Sequence, residues 1–128
     1  ALFNAELIII APSNPLVSIK PILEIPGFKS IIRKNNKRVI AVSPLIQGKA
    51  VKGPATKMLK QLGFKPNSFS CMQMYNDICK TFILDMSDIG LEKQFISLNQ
   101  KPFFTDTLMT NLADKRRLAK FIINQPID

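Results

Sequence analysis

Four short apolar runs bounded by turn-forming residues punctuate the chain, at positions 7–11, 39–43, 82–84 and 103–105, and each is continuous rather than alternating. An unbroken apolar run of strand length predicts a strand buried on both faces, as in a parallel sheet with helices above and below. Between the runs lie segments with apolar residues at helical spacing: 22–34 interrupted at Pro26-Gly27, then 54–62, 69–79, 89–98 and 111–123. The βαβα order predicts an α/β fold with a mostly parallel sheet flanked by helices, all within a single unit spanning 1–128.

Punctuation supports these limits. Gly53-Pro54 reads as a cap followed by proline at the first helical position, and Gly63 follows the last apolar residue of that helix, Leu62. Asn111 and Asp114 stand three apart at the start of the last helix, a weak capping box. The first five residues, Ala1-Leu2-Phe3-Asn4-Ala5, read as the last turn of a helix, so the chain opens as if in the middle of a domain.

Composition narrows the chemistry. Among 128 residues there is no histidine and no tryptophan, which removes a Ser-His-Asp or Cys-His pair, an imidazole base and any histidine-ligated metal. Cys71 and Cys79 are too few for a zinc cage and lack the spacing of a redox motif, so both read as small apolar residues kept reduced in a cytoplasmic setting. The run before Pro12 is too short to span a bilayer. The net charge of +9 is unevenly spread: residues 20–65 carry eleven lysines and arginines against the single acid Glu24. That segment favours anionic partners, although a merely solvated basic face explains the same count.

Ligands of open parallel sheets bind beyond the carboxyl ends of the strands, and three such segments carry polar groups. Pro12-Ser13-Asn14-Pro15 with Ser18 places hydroxyls and an amide beside a helix start, where free N–H groups favour an anion; as plain capping residues they need no ligand. Gly48-Lys49 lies in a loop between Ser43 and Pro54 that suits phosphate oxygens. It is not a Walker A loop, since Ala50 stands where that motif needs a hydroxyl. Thr105-Asp106-Thr107 ends the last run, and Asp106 there suits a metal, a ribose or a base edge, or equally a turn. Asp85 and Asp88 also follow a strand but read as structural, and Tyr75 and the phenylalanines read as core.

Taken together the strings Ile8-Ile9-Ile10-Ala11-Pro12-Ser13-Asn14-Pro15, Ser18-Ile19, Ala41-Val42-Ser43-Pro44, Gly48-Lys49-Ala50-Val51-Lys52-Gly53-Pro54-Ala55 and Thr105-Asp106-Thr107-Leu108-Met109 resemble the C-terminal half of the 2-phospho-L-lactate transferase family. Tyr75-Asn76-Asp77 and Asp114-Lys115-Arg116-Arg117-Leu118-Ala119 add weaker support. The resemblance implies a Rossmann-like fold of archaeal type. It also implies transfer of a phospho-lactyl or related phospho-acid group from a guanosine diphosphate ester to a deazaflavin, releasing GMP, in coenzyme F-420 biosynthesis.

Carried over residue by residue, it assigns Ser13, Asn14 and Ser18 to a diphosphate-contacting loop, Gly48 and Lys49 to a neighbouring ligand loop, and Asp106 and Thr107 to the same cleft. Gln47 and Lys20 stand where the family usually has glycine. No catalytic residue is assigned. Mg²⁺ is implied as cofactor, with its principal ligands outside this chain, so the chain alone is expected to be inactive. The partners implied are the two substrates and an N-terminal half or separate chain; an open sheet edge adds a homo-oligomer. Membrane and nucleic acid are not expected. The related gluconeogenesis-factor family, a nucleotide-sugar-binding regulator, is the alternative, and a basic RNA-binding module a further one.

Overall fold

A computed structural model describes residues 1–50 and 53–127. Strands β1 (Ile8–Ile10), β2 (Val39–Val42), β5 (Thr81–Asp85) and β6 (Lys101–Thr105) form one sheet in the order β1-β2-β5-β6. All its pairings are parallel, with Ile9 opposite Ile40, Ala41 opposite Phe82 and Ile83 opposite Phe103. A separate antiparallel pair, β3 (Leu45–Ile46) and β4 (Lys49–Ala50), leaves the carboxyl end of β2. Helices α1 (Lys20–Leu23), α2 (Phe28–Lys34), α3 (Ala55–Gln61), α4 (Ser68–Gln73), α5 (Glu92–Ser97) and α6 (Leu112–Ile123) complete the α/β Rossmann-like arrangement.

The alternation of side chains divides the core in two. Ile8, Ile10, Val39, Ala41, Phe82 and Leu84 point to one face, where they pack with Ile32 of α2, Leu59 of α3, Met72 of α4 and Phe95 of α5. Phe95 sits between Phe69 and Phe82, with ring centroids 5.1 and 5.5 Å away. On the opposite face Ile40, Val42 and Ile83 meet Leu118 and Ile122 of α6. Three successive crossovers thus run over one face while the last helix returns across the other. The strands advance in one direction across the sheet, as right-handed connections require.

Burial on both faces holds for the central strands, where all residues of β2 and β5 are buried. The outer strands depart from it: Ile9 of β1 remains 45% exposed and β6 is only half-buried. An apolar run does not reveal whether its strand ends up central or at an edge, because both carry the same residues.

Local chemistry explains the other departures. The helix expected over 69–79 ends at Gln73, and Tyr75, Ile78 and Cys79 continue the apolar pattern because a turn winds them back into the core. Pro54 is the cap of α3 rather than its first residue. The 89–98 helix opens as a 3-10 turn, Met86–Leu91, before α5. Gly27 divides α1 from α2 at φ +80° as the Pro26-Gly27 break predicts. Asn111 caps α6 by accepting from the Asp114 amide at 2.9 Å, while Asp114 turns outward to the Thr110 amide and hydroxyl at 3.0 and 2.7 Å. Both cysteines are buried free thiols, pushed up to about 12 by desolvation, with Cys79 partly offset by hydrogen bonds.

The stretch assigned to a ligand loop folds as the β3–β4 hairpin. Its two turn residues, Gln47 and Gly48, have φ of +51° and +73°. That is the pattern of a type I′ turn, which twists in the sense the strands need and prefers Asn-Gly. A Cβ on Gly48 would stand 2.5 Å from the Pro66 carbonyl oxygen. Gly48→Ala is therefore expected to lower the melting temperature through both the clash and the left-handed backbone, the latter alone costing roughly 1–2 kcal/mol. Gln47→Asn, suited to the same turn, is expected to raise it. Thermal melts of the two variants check both signs.

Candidate functional site

Parallel pairing brings the carboxyl ends of the strands to one edge of the sheet. There the segments following β1, β2 and β6 surround a cleft of about 520 Å³. Residues 12–18 form its first wall, through Pro12, Ser13, Asn14, Val17 and Ser18. Asn14 shapes that wall. Its Oδ1 accepts from the amides of Leu16 and Val17 at 2.9 and 3.3 Å, and its carbonyl accepts from the Ser18 amide at 2.9 Å. Together with Pro15, which has no N–H, this caps the π-helical turn Pro15–Ile19. The turn's leading amides are thus already satisfied, so an anion at this wall would rely on the hydroxyls of Ser13 and Ser18 rather than on a helix N-terminus.

Ser43 and Pro44 form the second wall with Ile46 of β3. Behind it runs a buried hydroxyl chain: Ser43 Oγ lies 2.9 Å from Ser68 Oγ, which donates to Asp88 Oδ2 at 2.9 Å. Burial pushes the Asp88 carboxyl up, opposed by the bonds from Ser68 and the Gln47 amide and reinforced by the neighbouring charge of Asp85. Gly48 and Lys49 are not on this wall. They border a shallow depression of about 430 Å³ with Lys57 and Lys60, joined to the cleft through the shared rim of Gly53 and Pro54. Val51 and Lys52, part of the same sequence string, lie outside the described residues.

Thr107, Leu108 and Met109 supply the third wall, with Lys115 of α6 beside them. Thr107 is buried and donates its amide and hydroxyl to Asp85 Oδ2 at 3.0 and 3.2 Å. Asp106 does not line the cleft: it is exposed, accepts from the Leu108 amide at 3.0 Å and pairs with Arg117 at 3.6 Å. Arg117 also donates to the carbonyls of Asp106 and Leu108, at 2.6 and 3.3 Å. Of the residues assigned from the sequence, Ser13, Asn14, Ser18 and Thr107 therefore share one cleft, Gly48 and Lys49 adjoin it, and Asp106 braces its outer side.

Lys115 and Asp85 were not among the assigned residues. Lys115 falls one turn into the helix after the last strand, a position that already points back toward the strand ends. Asp85 follows a strand and reads as structural, and it holds Thr107, a partner too distant in the chain for a local string to show.

The family model for 2-phospho-L-lactate transferase CofD matches residues 1–121. The chain belongs to the 2-phospho-L-lactate transferase family. Among its relatives are the 2-phospho-L-lactate transferases of Methanosarcina barkeri, 37% identical over 96% of this chain and 39% of that protein, and Methanocaldococcus jannaschii, 38% identical over 96% and 38%. That of Methanosarcina acetivorans is 36% identical over 91% of this chain and 37% of the relative. The chain thus spans about two fifths of the length of the relatives it matches. No helix among the described residues is long and apolar enough to cross a membrane.

The raised Asp88 carboxyl has a thermodynamic consequence. A group whose folded pKa lies above its unfolded one opposes folding where it is ionised, and that penalty fades as pH falls through the folded value. Asp88→Asn is expected to raise the melting temperature at pH 7–8, with the gain shrinking as pH is lowered through the carboxylate range. Melts of both forms as a function of pH test the sign; a gain that grows on acidification contradicts it.

Proposed function

We propose that this chain forms the nucleotide-diphosphate side of a transferase cleft. The transferase moves a phospho-lactyl or related phospho-acid group from a guanosine diphosphate ester to a deazaflavin hydroxyl and releases GMP. The observation that carries this reading is the meeting, at the strand ends, of Ser13, Ser18 and Thr107 with Lys115 around one cleft, in a chain whose family is the 2-phospho-L-lactate transferases. The cleft combines apolar surface at Val17, Ile46, Leu108 and Met109, suited to a flat heterocycle, with the hydroxyls of Ser13 and Ser18, suited to a diphosphate. Outside it, Lys49, Lys57 and Lys60 gather positive charge at the shared rim. Their field raises the local concentration of a polyanionic substrate.

Mg²⁺, which offsets charge in phosphoryl transfer, finds no cage here. No cluster of three or more potential ligands occurs among the described residues. Asp85 is filled by hydrogen bonds, Asp88 is bonded to Ser68, and Asp106 faces away with Arg117. The chain's share of the reaction is binding and orientation, which for a transfer of this kind carries much of the acceleration.

Two measurements test the reading. Melting of the 128-residue chain with GDP, a UDP-sugar and single-stranded RNA in parallel is expected to show a shift with GDP, since a ligand that binds only the folded state stabilises it. A shift with the UDP-sugar or RNA and none with GDP overturns it. Lys49→Ala is expected to weaken GDP binding more than Lys37→Ala, because a lysine near the site acts directly while an outlying one acts through a screened field. Equal losses that vanish together with added salt would instead mark diffuse attraction.

A further inference from the structure

Asp85 ends β5 and stands behind the third cleft wall, 8% exposed. An ionised carboxylate offers about four acceptor positions, and all of them are used. Oδ1 takes the Ser87 amide at 3.0 Å and the Ser87 hydroxyl at 2.6 Å, and Oδ2 takes the Thr107 amide at 3.0 Å and the Thr107 hydroxyl at 3.2 Å. Burial pushes this carboxyl up, but the four bonds outweigh it and the net shift is downward, so the group stays ionised. A carboxylate filled in this way has no lone pair left to hold a metal or to take a proton from a substrate. What it does instead is tie two chain segments together, the start of the Met86–Leu91 turn and the loop after β6.

We propose that Asp85 is a positioning residue for the cleft: by gripping the amide and hydroxyl of Thr107 it fixes the loop that carries Leu108 and Met109 to the cleft wall, and through that loop it sets the affinity for the cleft's ligand. The loop is held elsewhere by Arg117, but those contacts are exposed and open to competition by water. Both sets of bonds are charge-assisted, but the Asp85 grip is buried and screened least, which makes it the stronger of the two. The inference deepens the proposed function, in that it takes the cleft to be the ligand site.

The geometry specifies how asparagine fails here. Each carboxylate oxygen accepts one backbone amide, so whichever way an asparagine side chain turns, its NH₂ faces either the Ser87 or the Thr107 amide. In the 128-residue chain, Asp85→Asn is expected to weaken GDP binding about tenfold or more and to speed hydrogen exchange at the Thr107 amide. Thr107→Val removes only the hydroxyl half of the grip, folds without placing an amide against the carboxylate, and is expected to give a smaller loss. Combined with Asp85→Asn it should add little, because both act through one contact.

Asp77→Asn serves as the control for general destabilisation, since it breaks an exposed ion-pair cluster with Lys29 and Arg33. It is expected to leave GDP affinity unchanged. Wild-type chain that binds GDP, with Asp85→Asn and Thr107→Val binding it equally well, overturns the inference. Losses in Asp85→Asn and Asp77→Asn that simply follow their melting temperatures overturn it too. If the wild-type chain does not bind GDP, the proposed function falls. Unchanged exchange at the Thr107 amide in Asp85→Asn then sinks the positioning role as well, and accelerated exchange confined to the 105–110 loop supports it.

Discussion

The parallel pairing of β2 with β5 is the constraint on which the rest of the molecule depends. Every residue of both strands is buried, so their register cannot slip by one position without exchanging Ile40 and Val42 with Val39 and Ala41 between two differently shaped cores. Fixing that register fixes where the strands stop. The Ser43 amide continues the ladder to the Ile83 carbonyl at 2.9 Å, which sets the height at which the chain breaks away into the hairpin and the cleft begins.

From that edge outward the cleft is built by short polar side chains that satisfy backbone groups. Asn14 takes two amides of the turn after β1, Asp85 ties two segments after β5 and β6, and Asp114 takes the amide and hydroxyl of Thr110 before α6. Such groups act as substitutes for the missing ladder, and the Thr107 amide is the one among them that water does not reach. The cleft that results is lined by serine and threonine residues, a lysine and apolar side chains held at fixed spacing.

How far the residue pattern alone could go follows from what each element needed. β2 and β5 were legible because continuous burial leaves a continuous apolar run. Ser13, Asn14, Ser18 and Thr107 were legible as cleft residues because they lie in the segments that follow strands, and a parallel sheet brings those segments together. The β3–β4 hairpin was not, since two-residue strands have no period to read and Gln47 stands where asparagine would have announced the turn. Asp106 and Thr107 were both assigned to the cleft and only Thr107 lines it; which of two adjacent residues faces inward is decided by the pleat and by Arg117, neither of which a local string displays. Asp85 itself bonds a residue 22 positions away, a pairing that only the fold creates.

The two outer strands differ in what they offer to another backbone. The Lys101 amide points inward, to the Lys80 carbonyl at 2.7 Å, so by alternation the next nitrogen along β6 faces outward, and that nitrogen belongs to Pro102 and carries no hydrogen. A strand laid against this side would meet a gap in the ladder. β1 has no proline among Ile8, Ile9 and Ile10. The two edges of the sheet are therefore unlike: the β6 side lacks a donor at Pro102, and no residue of β1 lacks one.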